Sequence, residues 1–147
     1  MTPITDSIRM IFRHGMDYRN ACMEPMGLSG RHARYLSIIC HQPGISQDSL
    51  TQQIGINKSS TARQVALLEE DGFITRTACP KDKRVTRLYP TEKSLSLLPR
   101  IAAMQDAWEL HLTAGLTPEE LETVTALLAQ MQANAKTWTE VNDLAEA

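Results

Sequence analysis

The sequence predicts a mainly α-helical chain that carries one small β-hairpin. Three observations point there. Apolar residues recur at helical spacing over most of the chain and are interrupted by Gly and Pro. Two stretches, 73–78 and 85–90, alternate instead, are rich in Ile, Thr, Val and Tyr, and have Pro80-Lys81-Asp82-Lys83 as the turn between them. Two short helical patterns are separated by Gly55 and Ile56 alone, with Asn57 opening the second, which is the short Gly-containing turn of a helix-turn-helix. With the hairpin after it, this is a winged helix-turn-helix set between further helices.

The elements follow in order. A first helix is expected over 4–22, where Ile4, Ile8, Ile11, Phe12 and Gly15 trace one face. Glu24-Pro25-Met26-Gly27 breaks it. Ser29 caps a second helix reaching His41, with Tyr35, Leu36, Ile38 and Ile39 apolar, and Gln42-Pro43-Gly44 stops it. Ser46 caps a short third helix over 47–54, whose Leu50 and Ile54 share a face. Asn57 is a good N-cap for the fourth. There Val65 and Leu68, with Ala62 beside them, point inward, while Lys58, Ser59, Arg63 and Gln64 point out. Gly72 takes the position after the helix end. After the hairpin, Thr91 opens a long helix over 91–114, which Pro99 kinks or divides. Gly115 ends it. Thr117-Pro118-Glu119-Glu120 starts the last helix, with Thr at the N-cap, Pro next and a Glu closing a capping box. That helix runs to Val141 with Leu121, Val124, Leu127, Leu128, Met131 and Ala135 as its apolar stripe.

At 147 residues the chain reads as a single domain, 1–147, with the winged module at 29–90. The flanking helices, 1–22 and 91–147, need cover for their apolar faces. A second copy of the chain supplies it, so both segments read as dimerisation helices. No apolar run approaches the ~20 residues of a membrane helix, and Met1-Thr2-Pro3-Ile4-Thr5-Asp6 lacks a basic-then-apolar leader. Cys22, Cys40 and Cys79 are odd in number and widely spaced, which argues against a disulfide scaffold and for a reducing cytoplasm.

The net charge of −2 carries no bulk signal for nucleic acid, but its distribution does. Residues 57–93 hold eight Lys/Arg against five Asp/Glu, whereas 94–147 hold two against eight. A basic excess on one element is the footprint of a DNA-binding surface. Arg63 is the best base reader, since a guanidinium can bind guanine O6 and N7 together in the major groove. Ser59, Ser60 and Thr61 sit at a helix start, where N–H groups and the dipole favour a phosphate; Lys58 and Gln64 join them. In the hairpin, Arg84 suits a narrow minor groove, Lys81 and Lys83 neutralise phosphate, and Arg76 does so or pairs with an acidic neighbour. Asp82 would repel phosphate, so it reads as a partner for Arg84 or Arg87 that holds the turn.

Several runs resemble the MarR family of bacterial transcriptional regulators. Leu68-Glu69-Glu70-Asp71-Gly72-Phe73-Ile74-Thr75-Arg76 is similar to the family's run across the helix end and first strand. Asp82-Lys83-Arg84 fits its wing-tip Asp-any-Arg, and Thr91-Glu92-Lys93 fits the start of the next helix. Pro90 and Ser94 depart from the pattern where aliphatic residues and glycine are common. The resemblance implies a homodimer joined through the terminal helices on a pseudo-palindromic double-stranded operator. It also implies release from DNA by a small ligand, a metal or oxidation.

Other readings start from other residues. His14, His32, His41 and His111 with Cys22 and Glu24 raise a metal sensor, although none shows ligand spacing on one helix. Cys79 near Lys81 raises a redox switch, and Cys22 near Arg19 does so less. Phe12, Met16, Tyr35, Met104 and Trp108 either line a small-molecule effector cavity or pack as core. No nucleophile–base set, glycine-rich phosphate loop or metal-hydrolase motif is present, so neither an enzyme nor a cofactor is expected. The expectation is a dimeric cytoplasmic repressor. Its alternatives are a metal- or redox-responsive regulator of the same fold and a winged helix that binds other proteins rather than DNA.

Overall fold

The computed structural model describes residues 3–141, and side chains through 138. In order, the helices are α1 (Pro3–Met23), α2 (Gly30–His41), α3 (Gln47–Ile54), α4 (Lys58–Glu70), α5 (Glu92–Leu95), α6 (Leu98–Leu112) and α7 (Pro118–Val141). A 3-10 turn, Glu24–Met26, follows α1. The strands are β1 (Ile45–Ser46), β2 (Ile74–Ala78) and β3 (Thr86–Pro90). The chain forms two units, Met1–Trp108 and Glu109–Ala147.

Capping sets the helix boundaries in the first unit. The Ser46 hydroxyl accepts from the Ser49 N–H at 3.1 Å and starts α3, and Asn57 Oδ1 accepts from the Ser60 N–H at 2.8 Å and starts α4. Between them Gly55 ends α3 with φ of 79°, a left-handed conformation that glycine adopts without a Cβ penalty. Gly30 matters for a different reason. It lies where α1 and α2 touch, its N–H donates to Asn20 Oδ1 at 2.7 Å, and a Cβ there would fall 2.8 Å from the Arg19 Cβ.

The sheet is antiparallel in the order β1-β3-β2, with Ile45 opposite Leu88, Arg76 opposite Leu88 and Ile74 opposite Pro90. β1 is absent from the sequence expectation. It is two residues long and shows no alternation of its own; pairing with β3 creates it. The core runs through Tyr35, Leu36 and Ile39 of α2, Leu50 of α3, Val65 and Leu68 of α4, and Phe73, Ile74 and Leu88 of the hairpin. Each fully buried aliphatic side chain of this kind contributes about 1.5–3 kcal/mol, so α4 and the hairpin are held by one shared core.

The helix expected over 91–114 is divided. α5 ends at Leu95, α6 begins at Leu98, and Pro99 sits in the first turn of α6, where its missing N–H leaves no intrahelical bond unmade. Ser94, one of the departures from the family pattern, is buried and closes the start of α5. Its hydroxyl accepts from the Thr91 N–H at 3.1 Å and donates to the Thr91 carbonyl at 2.9 Å.

In the second unit α7 opens with the expected capping box. The Thr117 N–H donates to Glu120 Oε2 at 2.9 Å and the Glu120 N–H to Thr117 Oγ1 at 3.2 Å. Its stripe lies in the open: Leu121, Val124, Leu127 and Leu128 are all exposed, Leu127 by 54%. In the first unit α1 likewise exposes Ile4, Ile8, Ile11 and Phe12, the last by 63%.

Candidate nucleic-acid interface

At about 100° per residue, α4 is sorted by which side chains enter the core. Thr61, Val65 and Leu68 are fully buried and mark its packed face. Ser59 and Arg63 lie opposite and are exposed, and no partner holds the Arg63 guanidinium among the described residues. Thr61 is a correction to the expected contact set. Its side chain is in the core and its hydroxyl donates to the Asn57 carbonyl at 3.2 Å, so it cannot meet a phosphate. The apolar pattern gave no hint of this, because a threonine hydroxyl can be satisfied by its own helix. Asn57 also draws in Ser59, whose hydroxyl donates to Asn57 Oδ1 at 2.9 Å. Lys58 reaches Asp48 at 3.5 Å, an exposed pair of little strength. Gln64 flanks the packed face, half-buried, with Oε1 2.8 Å from His32 Nε2 on α2.

The hairpin is tied to α4 from its base. Glu69 receives both the backbone N–H of Arg76, at 3.1 Å, and its guanidinium, at 2.9 Å. Arg76 holds the Glu69 carboxyl below its usual range, and the cation is already partnered. Thr91 Oγ1 donates to the Gly72 carbonyl at 2.7 Å, and Lys93 Nζ donates to the Asp71 carbonyl at 2.8 Å while standing 4.2 Å over the Phe73 ring. Lys93 thus serves the joint between helix and wing.

At the tip, one Asp82 oxygen accepts from the backbone N–H of Arg84 at 3.1 Å and from its Nε at 3.0 Å; the other accepts from Nη2 at 3.1 Å. This fork keeps the Asp82 carboxyl below its ordinary range. Of the two partners the sequence left open for Asp82, Arg84 is the one used; Arg87 instead donates to the Gly44 carbonyl at 3.2 Å. Lys81 and Lys83 are exposed with no ion-pair partner among the described residues. Cys79 is half-buried beside them. The backbone N–H groups of Lys81 and Asp82, then Arg87, pull its thiol below the ordinary value.

A cavity of about 530 Å³ opens in the first unit between α1, α2 and the helix-turn-helix. Phe12, Met16 and Tyr35 line it, as the sequence suggested, together with Arg19, Arg31, Arg34, Ile54, Ile56 and Ser60. Met104 and Trp108 do not. Met104 is buried in the core, and Trp108 stacks on Tyr18 with ring centroids 5.8 Å apart. The three arginines were missed, although the Arg31/Arg34 spacing on one helix is a signal that could have found two of them. Burial pulls Arg19 below the usual guanidinium value. Among the described residues no three His, Cys, Asp or Glu gather as metal ligands, and no helix is long and apolar enough to cross a membrane.

Comparison with known proteins gives consistent results. The family model described as MarR family matches residues 28–86. An uncharacterized HTH-type transcriptional regulator of Bacillus subtilis, YybA, is 31% identical over 134 residues, 91% of this chain and 89% of that protein. Among solved structures, the transcriptional regulator SlyA matches with a TM-score of 0.89 and 29% identity, over 95% of this chain and 99% of that one. A MarR family regulator from Listeria monocytogenes, complexed with a 26mer DNA, matches with a TM-score of 0.87 and 27% identity, over 98% and 97%. The chain therefore belongs to the MarR family of transcriptional regulators.

Proposed function

We propose that this regulator binds double-stranded DNA sequence-specifically, as a homodimer on a pseudo-palindromic operator in the cytoplasm, and represses until a small ligand releases it. The observation that carries the reading is the placement of the cations that have no partner among the described residues. Arg63 stands opposite the packed face of α4, and Lys81 and Lys83 stand free at the wing tip, while the cations nearer the joint are engaged within the chain. In this reading α4 enters the major groove with Arg63 on a base edge, Ser59, Ser60 and Lys58 near the backbone, and the wing carries Arg84, aimed by Asp82, to the minor groove. The DNA bound to the Listeria relative supports it.

Dimerisation is supported by the exposed apolar side chains of α1 and α7, which a two-fold interface would bury; the winged module at 29–90 then sits between dimerisation helices at 1–22 and 91–147. Ligand release is supported by the cavity, because its wall includes Ile54 at the end of α3, Ile56 in the turn and Ser60 in the first turn of α4. Its aromatic and arginine lining suits a phenolic anion.

The test combines footprinting upstream of the chain's own gene, with and without a panel of phenolic compounds, and light scattering at micromolar concentration. Protection of a two-fold sequence by a particle of about twice 16.4 kDa is expected, with protection lost on adding an effector. A monomer that binds tightly, or equal binding to every duplex, would refute the proposal.

A further inference from the structure

At the start of α4 the cap fixes the direction of a neighbouring hydroxyl. The Ser60 N–H meets the Asn57 carboxamide at 2.8 Å, and a backbone N–H can only donate, so the atom it meets is the oxygen, Oδ1. That same oxygen lies 2.9 Å from the Ser59 hydroxyl. A carboxamide oxygen only accepts, so the Ser59 proton points at Asn57. What Ser59 presents outward is a pair of lone pairs and no donor. The residue is exposed, and it stands on the same side of α4 as Arg63, one turn nearer the helix start.

We propose that Ser59 is a specificity-determining residue, whose hydroxyl oxygen accepts from the exocyclic amino group of an adenine or a cytosine in the major groove. Phosphate oxygens, guanine O6 and N7 and thymine O4 are all acceptors, and none of them can bond an oxygen whose proton is already spent. The donors on the floor of the groove are adenine N6 and cytosine N4. A free serine hydroxyl bonds either kind of edge; Asn57 takes that freedom away. The hydroxyl therefore moves from the phosphate backbone, where a place at a helix start would put it, to the base edges beside Arg63. Lys58 keeps its ammonium for the backbone. Four residues of helix rise about 6 Å, and successive bases on a strand stand ~3.4 Å apart. The amino-bearing base thus falls within about two steps of the base that Arg63 reads.

The assignment rests on α4 being the reading helix, and the experiment separates the two claims. The full-length chain selects duplexes from a randomised pool, and affinities for a selected and a random duplex are measured for the wild type, Ser59→Ala and Ser59→Thr. The selected duplex is also made without the amino group, with purine in place of adenine or pyrimidin-2-one in place of cytosine. Ser59→Ala keeps the Ser60 N–H on Asn57, so the cap survives, and Ser59→Thr keeps the hydroxyl. Selection is expected to return adenine or cytosine at one position near the Arg63 base, with guanine and thymine rejected. Deleting the amino group should cost the wild type roughly 5-fold more per half-site than it costs Ser59→Ala, about one hydrogen bond's worth. That difference isolates the contact, because any weakening of the duplex itself is common to both chains. Ser59→Thr should restore most of the wild-type preference.

Equal losses for Ser59→Ala on the selected and the random duplex would put the hydroxyl on a phosphate and overturn the assignment. So would an amino deletion that costs the wild type and Ser59→Ala alike. Either result leaves DNA reading through Arg63 intact. A wild-type chain that enriches no duplex overturns the DNA reading and the role of Ser59 with it.

Discussion

Lys83→Ala tests how the interface is charged. Lys83 is exposed at the wing tip and no carboxylate holds it among the described residues, so its charge is available to a phosphate. The same holds for Lys81; Lys58 does contact the Asp48 carboxylate, but at 3.5 Å and between two largely exposed groups, a pair weak enough to give way to a phosphate. Arg76 and Arg84 are already committed to Glu69 and Asp82. Three lysines per protomer give a dimer about six phosphate contacts. The slope of log affinity against log salt is then roughly −5.4, a loss of about 2,000-fold between ~50 and ~200 mM salt. Removing Lys83 from both protomers leaves about four contacts, a slope of roughly −3.6 and a loss of only about 150-fold over the same range. Fluorescence anisotropy on an operator duplex and on a random duplex, each titrated with salt, measures both slopes. The change should be equal on the two duplexes, because a phosphate carries no sequence. An unchanged slope, or an effect confined to the operator, would refute the assignment of Lys83 to the backbone.

Arg63→Ala should cost about 1–3 kcal/mol per half-site and flatten preference at one base position; equal losses on operator and random DNA would remove it from the base-reading role. Asp82→Ala should weaken operator binding in a mobility-shift titration with little change in melting temperature, because the freed Arg84 must be ordered on binding. Tighter binding would show that relief of charge repulsion outweighs lost aim. Gly30→Ala sets helix propensity, a gain of at most ~1 kcal/mol, against a Cβ 2.8 Å from the Arg19 Cβ and 2.9 Å from the Asn20 backbone nitrogen. Overpacking costs ~1–3 kcal/mol, so a melting temperature lower by several degrees is expected, and a raised one would mean α1 and α2 separate at little cost.

Local chemistry in the sequence determined where most elements begin and end. Ser46, Asn57 and Thr117 cap helices because a short side-chain oxygen reaches the N–H groups two or three residues on, and that needs no distant contact. The hairpin was legible from its alternation, and the winged helix-turn-helix from the order of these signals together with the family-like runs at 68–76, 82–84 and 91–93. The basic character of the wing was legible for the same local reason.

What the tertiary structure decided depends on residues far apart in the chain. β1 exists only because β3 lies beside it. Thr61 faces the core because α4 is rotated to bury Val65 and Leu68, and a threonine tolerates that position when its hydroxyl finds a carbonyl in its own helix. The sequence shows six basic residues between 73 and 93, but folding sorts them by partner. Arg76 meets Glu69, Arg84 meets Asp82, Arg87 meets the Gly44 carbonyl and Lys93 meets the Asp71 carbonyl, which leaves Lys81 and Lys83. Periodicity reports which face of an element is apolar. It does not report which distant carboxylate or carbonyl a long cationic side chain will reach, because that distance exists only once the chain has packed.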